Sequence, residues 1–338
     1  MAATEMSALT TADTSRPGIP ATPAPSVSVV VPVFGSGESL PELVSRVQAA
    51  LSPLVSTLEL ILVNDGSGRG SWQVIEDLAR REPQVRGLDL MHNYGQHNAL
   101  LAGIARARNS IIVTMDDDLQ HPPEDLPKLL AAICEGNDVA YGKPQRREHS
   151  PWRNLASRVI KRGVRAALGA EMAEKSSAFR MFRAELKEGF AGFRDAQVSI
   201  DVLLSWSADR VACVTVDHHP RRQGRSGYNL SKLLAVTLGM ITGYSTLPLR
   251  LAGGLGLLSA TLGLALLAWL LLQTLMHEGH ASGLTLLAAM IAVFAGLQLF
   301  AIGVIGEYLA RIHFRTLGKP AFVIRSETGS KDNQENHT

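Results

Sequence analysis

From Ser26 onward the chain alternates short β-branched apolar runs with longer amphipathic stretches. Residues 27–33, 58–63, 85–90 and 111–115 form the apolar runs, too short for helices and rich in Val, Ile and Leu, which predicts buried strands. Between them, residues 38–51, 71–81, 96–107 and 124–134 carry apolar side chains at helical spacing. Strands and helices alternating in this way predict βαβ crossovers, hence an α/β fold with a mostly parallel sheet and helices on both faces. Ligands of such sheets collect beyond the carboxyl ends of the strands. The polar, Gly-rich punctuation falls at those ends: Pro32-Val33-Phe34-Gly35-Ser36-Gly37, Asn64-Asp65-Gly66-Ser67-Gly68 and Asp116-Asp117-Asp118-Leu119-Gln120.

The pattern changes after residue 229. Residues 230–244, within a juxtamembrane stretch 229–250, are amphipathic and interrupted by glycine, which suits a helix lying in a membrane interface. Residues 251–273 and 284–306 are nearly uncharged apolar runs, and a bilayer crossing needs ~20 such residues. The polar break Met276-His277-Glu278-Gly279-His280 between them predicts a helical hairpin. Arg250 precedes the first run, Arg311, Arg315 and Lys319 follow the second, and the break has no Lys or Arg. By the positive-inside rule, that asymmetry predicts a multi-pass membrane protein with its sheet domain and both termini in the cytoplasm. Two buried helices of a large soluble core are the competing reading, and the charge asymmetry weighs against it.

Composition adds exclusions. The 338 residues are 46% apolar and 19% charged, with a net charge of +2 and few aromatics, unlike the basic, aromatic-interleaved surface of a nucleic-acid binder. Residues 1–25, rich in Ala, Thr, Ser and Pro, lack the basic start and apolar core of a secretory signal and predict a disordered, uncleaved tail. Cys134 and Cys213 match no metal or redox spacing and are expected to be buried thiols in a reducing compartment. The domain plan is then 26–228 for the sheet domain, two spans at 251–273 and 284–306, and a tail 307–338. The tail's apolar residues 321–324 could pair as a short strand with a neighbouring subunit of a homo-oligomer, such as a tetramer.

Three consecutive carboxylates, Asp116, Asp117 and Asp118, repel one another unless a cation or solvent separates them. Hard oxygen ligands of this kind suit Mg²⁺ or Mn²⁺, which in turn bind diphosphates. Alternation along an extended segment puts Asp116, Asp118 and Gln120 on one side and Asp117 on the other; a solvated acidic turn capping a helix is the alternative. Asp65 ends a strand ahead of glycines that permit close backbone approach, which fits a nucleotide pocket or an ordinary turn. Pro32 and Val33, ahead of Glu38, fit either a loop over a nucleotide base or a plain strand-to-helix turn. Arg146, Arg147 and Arg153, with Ser157 one helical turn beyond Arg153, could hold an anion or lie against an acidic leaflet. The same choice applies to Arg221, Arg225, Ser226 and Tyr228 ahead of the amphipathic stretch. Neither Gly-x-Gly-x-x-Gly nor a P-loop follows the first strand, so dehydrogenase and P-loop kinase chemistries lose support. No Gly-x-Ser-x-Gly elbow is present either.

Together, Val31-Pro32-Val33-Phe34, Val63-Asn64-Asp65-Gly66-Ser67, His92-Asn93-Tyr94-Gly95-Gln96-His97-Asn98-Ala99, Asp116-Asp117-Asp118-Leu119-Gln120 and Gly306-Glu307-Tyr308-Leu309-Ala310-Arg311-Ile312 resemble family 2 glycosyltransferases, in their polyprenyl-phosphate branch. The resemblance implies a GT-A (Rossmann-like) catalytic domain, an interfacial helix and a two-helix transmembrane hairpin. It implies an enzyme that transfers a sugar from a nucleotide-sugar, UDP-linked in the bacterial relatives, to polyprenyl (undecaprenyl) phosphate with inversion, for cell-envelope glycan or lipid A and O-antigen modification. Residue by residue, it implies nucleotide contacts from Pro32, Val33, Glu38, Asp65, Asp116 and Asp117, with Asp118 and Gln120 holding the divalent metal. Asp116, Asp118 and Arg153 are then the catalytic set; Arg146, Arg147, Arg153 and Ser157 hold the acceptor phosphate. The family's Arg-x-x-Gly-x-Ser-Lys-Tyr diphosphate clamp falls on Arg221, Arg225, Ser226 and Tyr228, with Gly227 in place of the lysine. A processive polysaccharide synthase would carry a Gln-x-x-Arg-Trp segment, absent here, and a non-catalytic scaffold would not need the acidic cluster intact.

Overall fold

The computed structural model describes residues 24–35, 37–144, 176–190, 199–217, 219, 247–276, 283–318 and 320–329. Four strands follow the four apolar runs: β1 (Ser26–Val33), β2 (Thr57–Asn64), β3 (Val85–Leu90) and β4 (Ile111–Thr114). The helices between and after them are α1 (Leu40–Leu51), α2 (Arg69–Arg81), α3 (Gln96–Arg106) and α4 (Leu126–Cys134). β1 pairs in parallel with β2 on one side and β4 on the other, and β2 pairs in parallel with β3. Seven of the eight β1 residues are buried, as a central strand covered on both faces requires. Val29, Val31 and Val33 face the layer of α1, α2 and α4, and Val30 faces α3. In α1 the buried Leu40, Leu43, Val44, Val47 and Leu51 recur at helical spacing, so one stripe meets the sheet.

The second half of the sheet comes from β5 (Val139–Pro144), β6 (Arg180–Arg183) and β7 (Val211–Val216), with α5 (Ile200–Ser207) packed on the α3 side. β6 runs antiparallel to both β4 and β5, and β7 is parallel to β5. With β8 (Ile324–Thr328) the order is β7-β5-β6-β4-β1-β2-β3-β8, a mixed sheet in which parallel pairs predominate.

Two long helices, α6 (Leu247–Met276) and α7 (Gly283–Thr316), precede β8. They pack on each other, the Phe294 ring lying so close to Gly263 that a Cβ there would meet it at 2.1 Å. Many of their large apolar side chains, among them Leu262, Trp269, Leu299 and Ile305, are more than half exposed, which weighs against the soluble-core reading. Among the described residues one window, Val293–Ala310, is long and apolar enough to cross a bilayer, while the apolar part of α6, Leu249–Ala265, is shorter. Two elements differ from expectation. Both cysteines are exposed rather than buried, because Cys134 ends α4 at its outer side and Cys213 points outward from the edge strand β7. The tail strand begins at Ile324 and pairs antiparallel with β3 of its own chain, covering an edge that would otherwise offer unpaired N–H and C=O groups.

Candidate active site

The carboxyl ends of β1 to β4 and the start of α3 enclose a pocket of about 230 Å³. Pro32 and Phe34 form one wall, Asn93, Gly95 and Gln96 another, and Asp65, Asp116 and Asp117 supply its acidic floor. Phe34 is 65% exposed, an aromatic face standing open at the rim. Val33 takes part through its backbone: its side chain is in the core, and its carbonyl accepts the Asp65 N–H at 3.0 Å. Glu38, in a short 3-10 turn (Gly37–Ser39), is exposed and does not line the pocket.

Asp65 is buried, and its two carboxylate oxygens accept the backbone N–H groups of Tyr94 and Gly95 at 2.7 and 2.9 Å. Desolvation outweighs these bonds and raises its pKa above the usual carboxylate value. The loop can come this close because Gly66 has φ +66° and a Cβ there would sit 2.4 Å from the Asn93 nitrogen.

The acidic segment after β4 does not divide as strand alternation predicts: it turns at residues 117–118, so Asp116 and Asp117 line the pocket together while Asp118 and Gln120 do not. Asp117 turns toward the Phe34 backbone N–H, and its own carbonyl accepts the Ser39 hydroxyl at 2.7 Å. Burial, then the neighbouring Asp116 and Asp118, push its carboxyl up to about 6. Asp116 accepts a bond from the Gln96 amide, and Asp118 accepts the Gln120 N–H at 3.2 Å. Between them Leu119 adopts φ 58°, a left-handed conformation costing about 1–3 kcal/mol in a residue with a side chain, while that side chain is anchored in the core. The buried Leu119 side chain offsets that cost and keeps Asp118 and Gln120 in a tight turn at the sheet edge.

Beneath this turn lies a charge the sequence reading missed. Arg180, on β6, is fully buried; its Nε donates to Thr114 Oγ1 at 2.9 Å and its guanidinium pairs with Asp201 of α5. Asp116 is close enough to help keep that guanidinium charged. His97, at the start of α3, accepts the Ile200 N–H on Nδ1 at 3.4 Å, so this nitrogen is unprotonated. Burial, with the Arg180 cation behind it, pushes the imidazole down to about 4. The available signal was an arginine inside a short apolar strand, since a buried guanidinium must have a carboxylate partner elsewhere. Arg146, Arg147, Arg153, Ser157, Arg221, Arg225, Ser226 and Tyr228 lie outside the described residues.

A family model described as glycosyl transferase family 2 matches residues 28–190. Proteins named undecaprenyl-phosphate 4-deoxy-4-formamido-L-arabinose transferase are similar to the chain over most of its length. That of Aeromonas hydrophila is 34% identical over 309 residues, covering 89% of this chain and 95% of the relative. That of an Enterobacter species is 34% identical over 319 residues, covering 91% and 97%. Among solved structures, glucosyl-3-phosphoglycerate synthase from Mycobacterium tuberculosis, in complex with Mn²⁺ and UDP-glucose, aligns with a TM-score of 0.48 at 17% identity, over 64% of this chain and 77% of that one.

Proposed function

Because this chain belongs to glycosyl transferase family 2, we propose that it moves a sugar from a UDP-linked donor to undecaprenyl phosphate at the cytoplasmic face of the bacterial inner membrane. One observation carries the reading: the similarity to undecaprenyl-phosphate transferases covers 95% of a relative's length and so includes the two apolar helices as well as the pocket. A lipid acceptor keeps its phosphate at the interface and its tail in the bilayer, so an enzyme for it needs both parts. The flanking Arg250, Arg311, Arg315 and Lys319 support a two-span hairpin with the catalytic domain and both termini inside.

In this reading Asp65 and the walls around it take the nucleotide, and Phe34 offers its exposed ring to the base. The all-oxygen donor set of Asp116, Asp118 and Gln120 suits Mg²⁺ or Mn²⁺. Among the described residues no group of three or more His, Cys, Asp or Glu is placed to hold a metal ion by itself, so a metal here would need diphosphate oxygens and water as further ligands. Bound there, the metal would supply a Lewis acid for the charge growing on the diphosphate.

An oxygen of the acceptor phosphate attacks the anomeric carbon, the bond from that carbon to the donor diphosphate breaks, and UDP leaves with inversion. A phosphate monoester has its second pKa at ~6, so the nucleophile is already ionised and needs no strong base. The chain's task is to bring two anions together and hold them in line. Arg153, Ser157, Arg146 and Arg147 are assigned to the acceptor phosphate, and Arg221, Arg225, Ser226 and Tyr228 to the diphosphate. The Gln96 amide holds Asp116 by a hydrogen bond, and the buried Arg180 adds a positive charge nearby.

The test is to incubate the detergent-purified protein with undecaprenyl phosphate and a panel of UDP-sugars that includes UDP-4-deoxy-4-formamido-L-arabinose, with Mn²⁺, Mg²⁺ or EDTA. UDP release that needs both lipid and metal is expected from one donor. Release without lipid, or none across the panel, would overturn the assignment.

A further inference from the structure

The strand that follows the membrane helices reaches the loops that build the donor pocket. Arg325 lies nine residues beyond Thr316, the last residue of α7. One arm of its guanidinium pairs with Asp89 Oδ2 at 3.2 Å, and the other donates to the Met91 carbonyl at 2.6 Å. Met91 is held a second time, its N–H donating to the Val323 carbonyl at 2.9 Å.

Each of these contacts leads to a pocket loop. Asp89 is buried, with its side chain 5% exposed, and its second oxygen accepts the Asn64 amide at 2.7 Å. The Asn64 side-chain oxygen in turn accepts the Ser67 hydroxyl, so the loop carrying Asp65 and Gly66 is tied through two side chains to Arg325. Met91 opens the neighbouring loop, whose Tyr94 and Gly95 N–H groups hold the Asp65 carboxylate. Close packing of Gly66 on Asn93 locks the two loops together. Both loops that fix Asp65 are therefore gripped from the β8 side by one arginine.

We propose that Arg325 and Asp89 are positioning residues for donor binding, so that nucleotide affinity depends on the seating of the strand that leaves the membrane. The inference rests on the donor reading of the Asp65 pocket. Neither residue lines that pocket, so their effect runs through Asn64, Ser67 and Met91. Lysine at 325 can still pair with Asp89 but cannot also reach the Met91 carbonyl in the same fork, so it restores only part of the effect.

The test measures UDP binding by calorimetry in the presence of Mn²⁺, and KM for donor and lipid acceptor separately, on full-length wild type, Arg325→Ala, Arg325→Lys and Asp89→Asn. Loss of an outer-shell partner commonly costs 10–100-fold in affinity, and the half-exposed Arg325 puts the expectation lower, at about five- to tenfold weaker UDP binding for Arg325→Ala. The lipid KM should stay within about twofold and Arg325→Lys should fall between wild type and Ala. UDP affinity unchanged in an Arg325→Ala protein with wild-type thermal stability would overturn the inference alone. Equal changes in both KM values would also overturn it, as general loosening. Wild type that binds no UDP would overturn the donor reading beneath it.

Discussion

At the level of single residues the site is built from groups held away from their preferred state. Asp117 and Asp65 are carboxyls raised by burial, Leu119 is a strained backbone, and His97 is an imidazole kept neutral. Asp118 differs in that its place in the turn leaves it at the sheet edge with Gln120. Replacing Asp118 by Ala should lower kcat by at least 100-fold, the usual range for a lost charge-stabilising group being about 2.7–4 kcal/mol, while circular dichroism and membrane retention stay as in wild type. An active Asp118→Ala protein indifferent to EDTA would remove the basis for a metal at this turn. His97 makes a separate prediction about stability. Its pKa is about 4 in the fold against the ordinary value of 6.5, so below 6.5 the unfolded chain takes up a proton that the native one refuses. The stability its neutral form allows is present above pH 6.5 and is lost as pH falls toward 4, up to about 3 kcal/mol at the acid end. Thermal melts of wild type and His97→Gln at pH 7.5 and 5 check this. The variant should show a smaller loss, and the carboxyls common to both proteins drop out of the comparison. Equal losses would mean that His97 protonates freely.

At the scale of elements, β1 to β4 and their helices were legible because long β-branched runs and helical spacing coincide with burial on both faces of the sheet. The loops at their ends were legible for the same reason, since polar punctuation in a parallel sheet falls at the ligand edge. β5, β6, β7 and α5 left weaker traces. β6 has four residues and begins with a buried arginine, and β7 is an edge strand with a mixed burial pattern. Arg180 and Asp201 escaped notice because their pairing joins residues from separate elements that no local pattern links. The tail strand was expected too early and against another subunit, because its apolar lead-in, with Ala321 buried, resembles a strand more than the polar residues 325–327 do. Glu327 completes a buried network in which Arg86 is flanked by Glu59 and Glu327. Glu59 is also bound by the Ser28 hydroxyl at 2.7 Å and by the Arg108 N–H at 3.2 Å. Removing the less buried Glu327 leaves Arg86 one carboxylate, Glu59, beside the Arg106 carbonyl, and should cost about 1–3 kcal/mol. Glu59→Ala orphans more buried groups and should cost about 3–5 kcal/mol. Denaturant titration in detergent ranks the two; a Glu327→Ala cost equal to or above that of Glu59→Ala would contradict the network as described.

For the whole molecule, the consequence of β8 is that the catalytic sheet is completed only after the chain has passed through both apolar helices. A soluble version made by stopping at residue 246 would therefore lose more than its anchor: β3 would become an edge, and Arg86 would lose Glu327. Replacing residues 247–316 with a flexible Gly/Ser linker, while keeping the segment through Gly329, retains the strand and removes only the membrane part. The linker protein should melt about 5–10 °C above the truncated one, as a difference of a few kcal/mol in a domain of this size implies, and should bind UDP as the full chain does. Its turnover should fall steeply with undecaprenyl phosphate in bilayers yet persist with a short, water-soluble prenyl phosphate, because the chemistry lies in the sheet domain and the helices bring it to the lipid. If the truncated and linker proteins melt together, β8 is a passive tail. If the linker protein turns over bilayer substrate at the full rate, the helices are not what presents the enzyme to its acceptor.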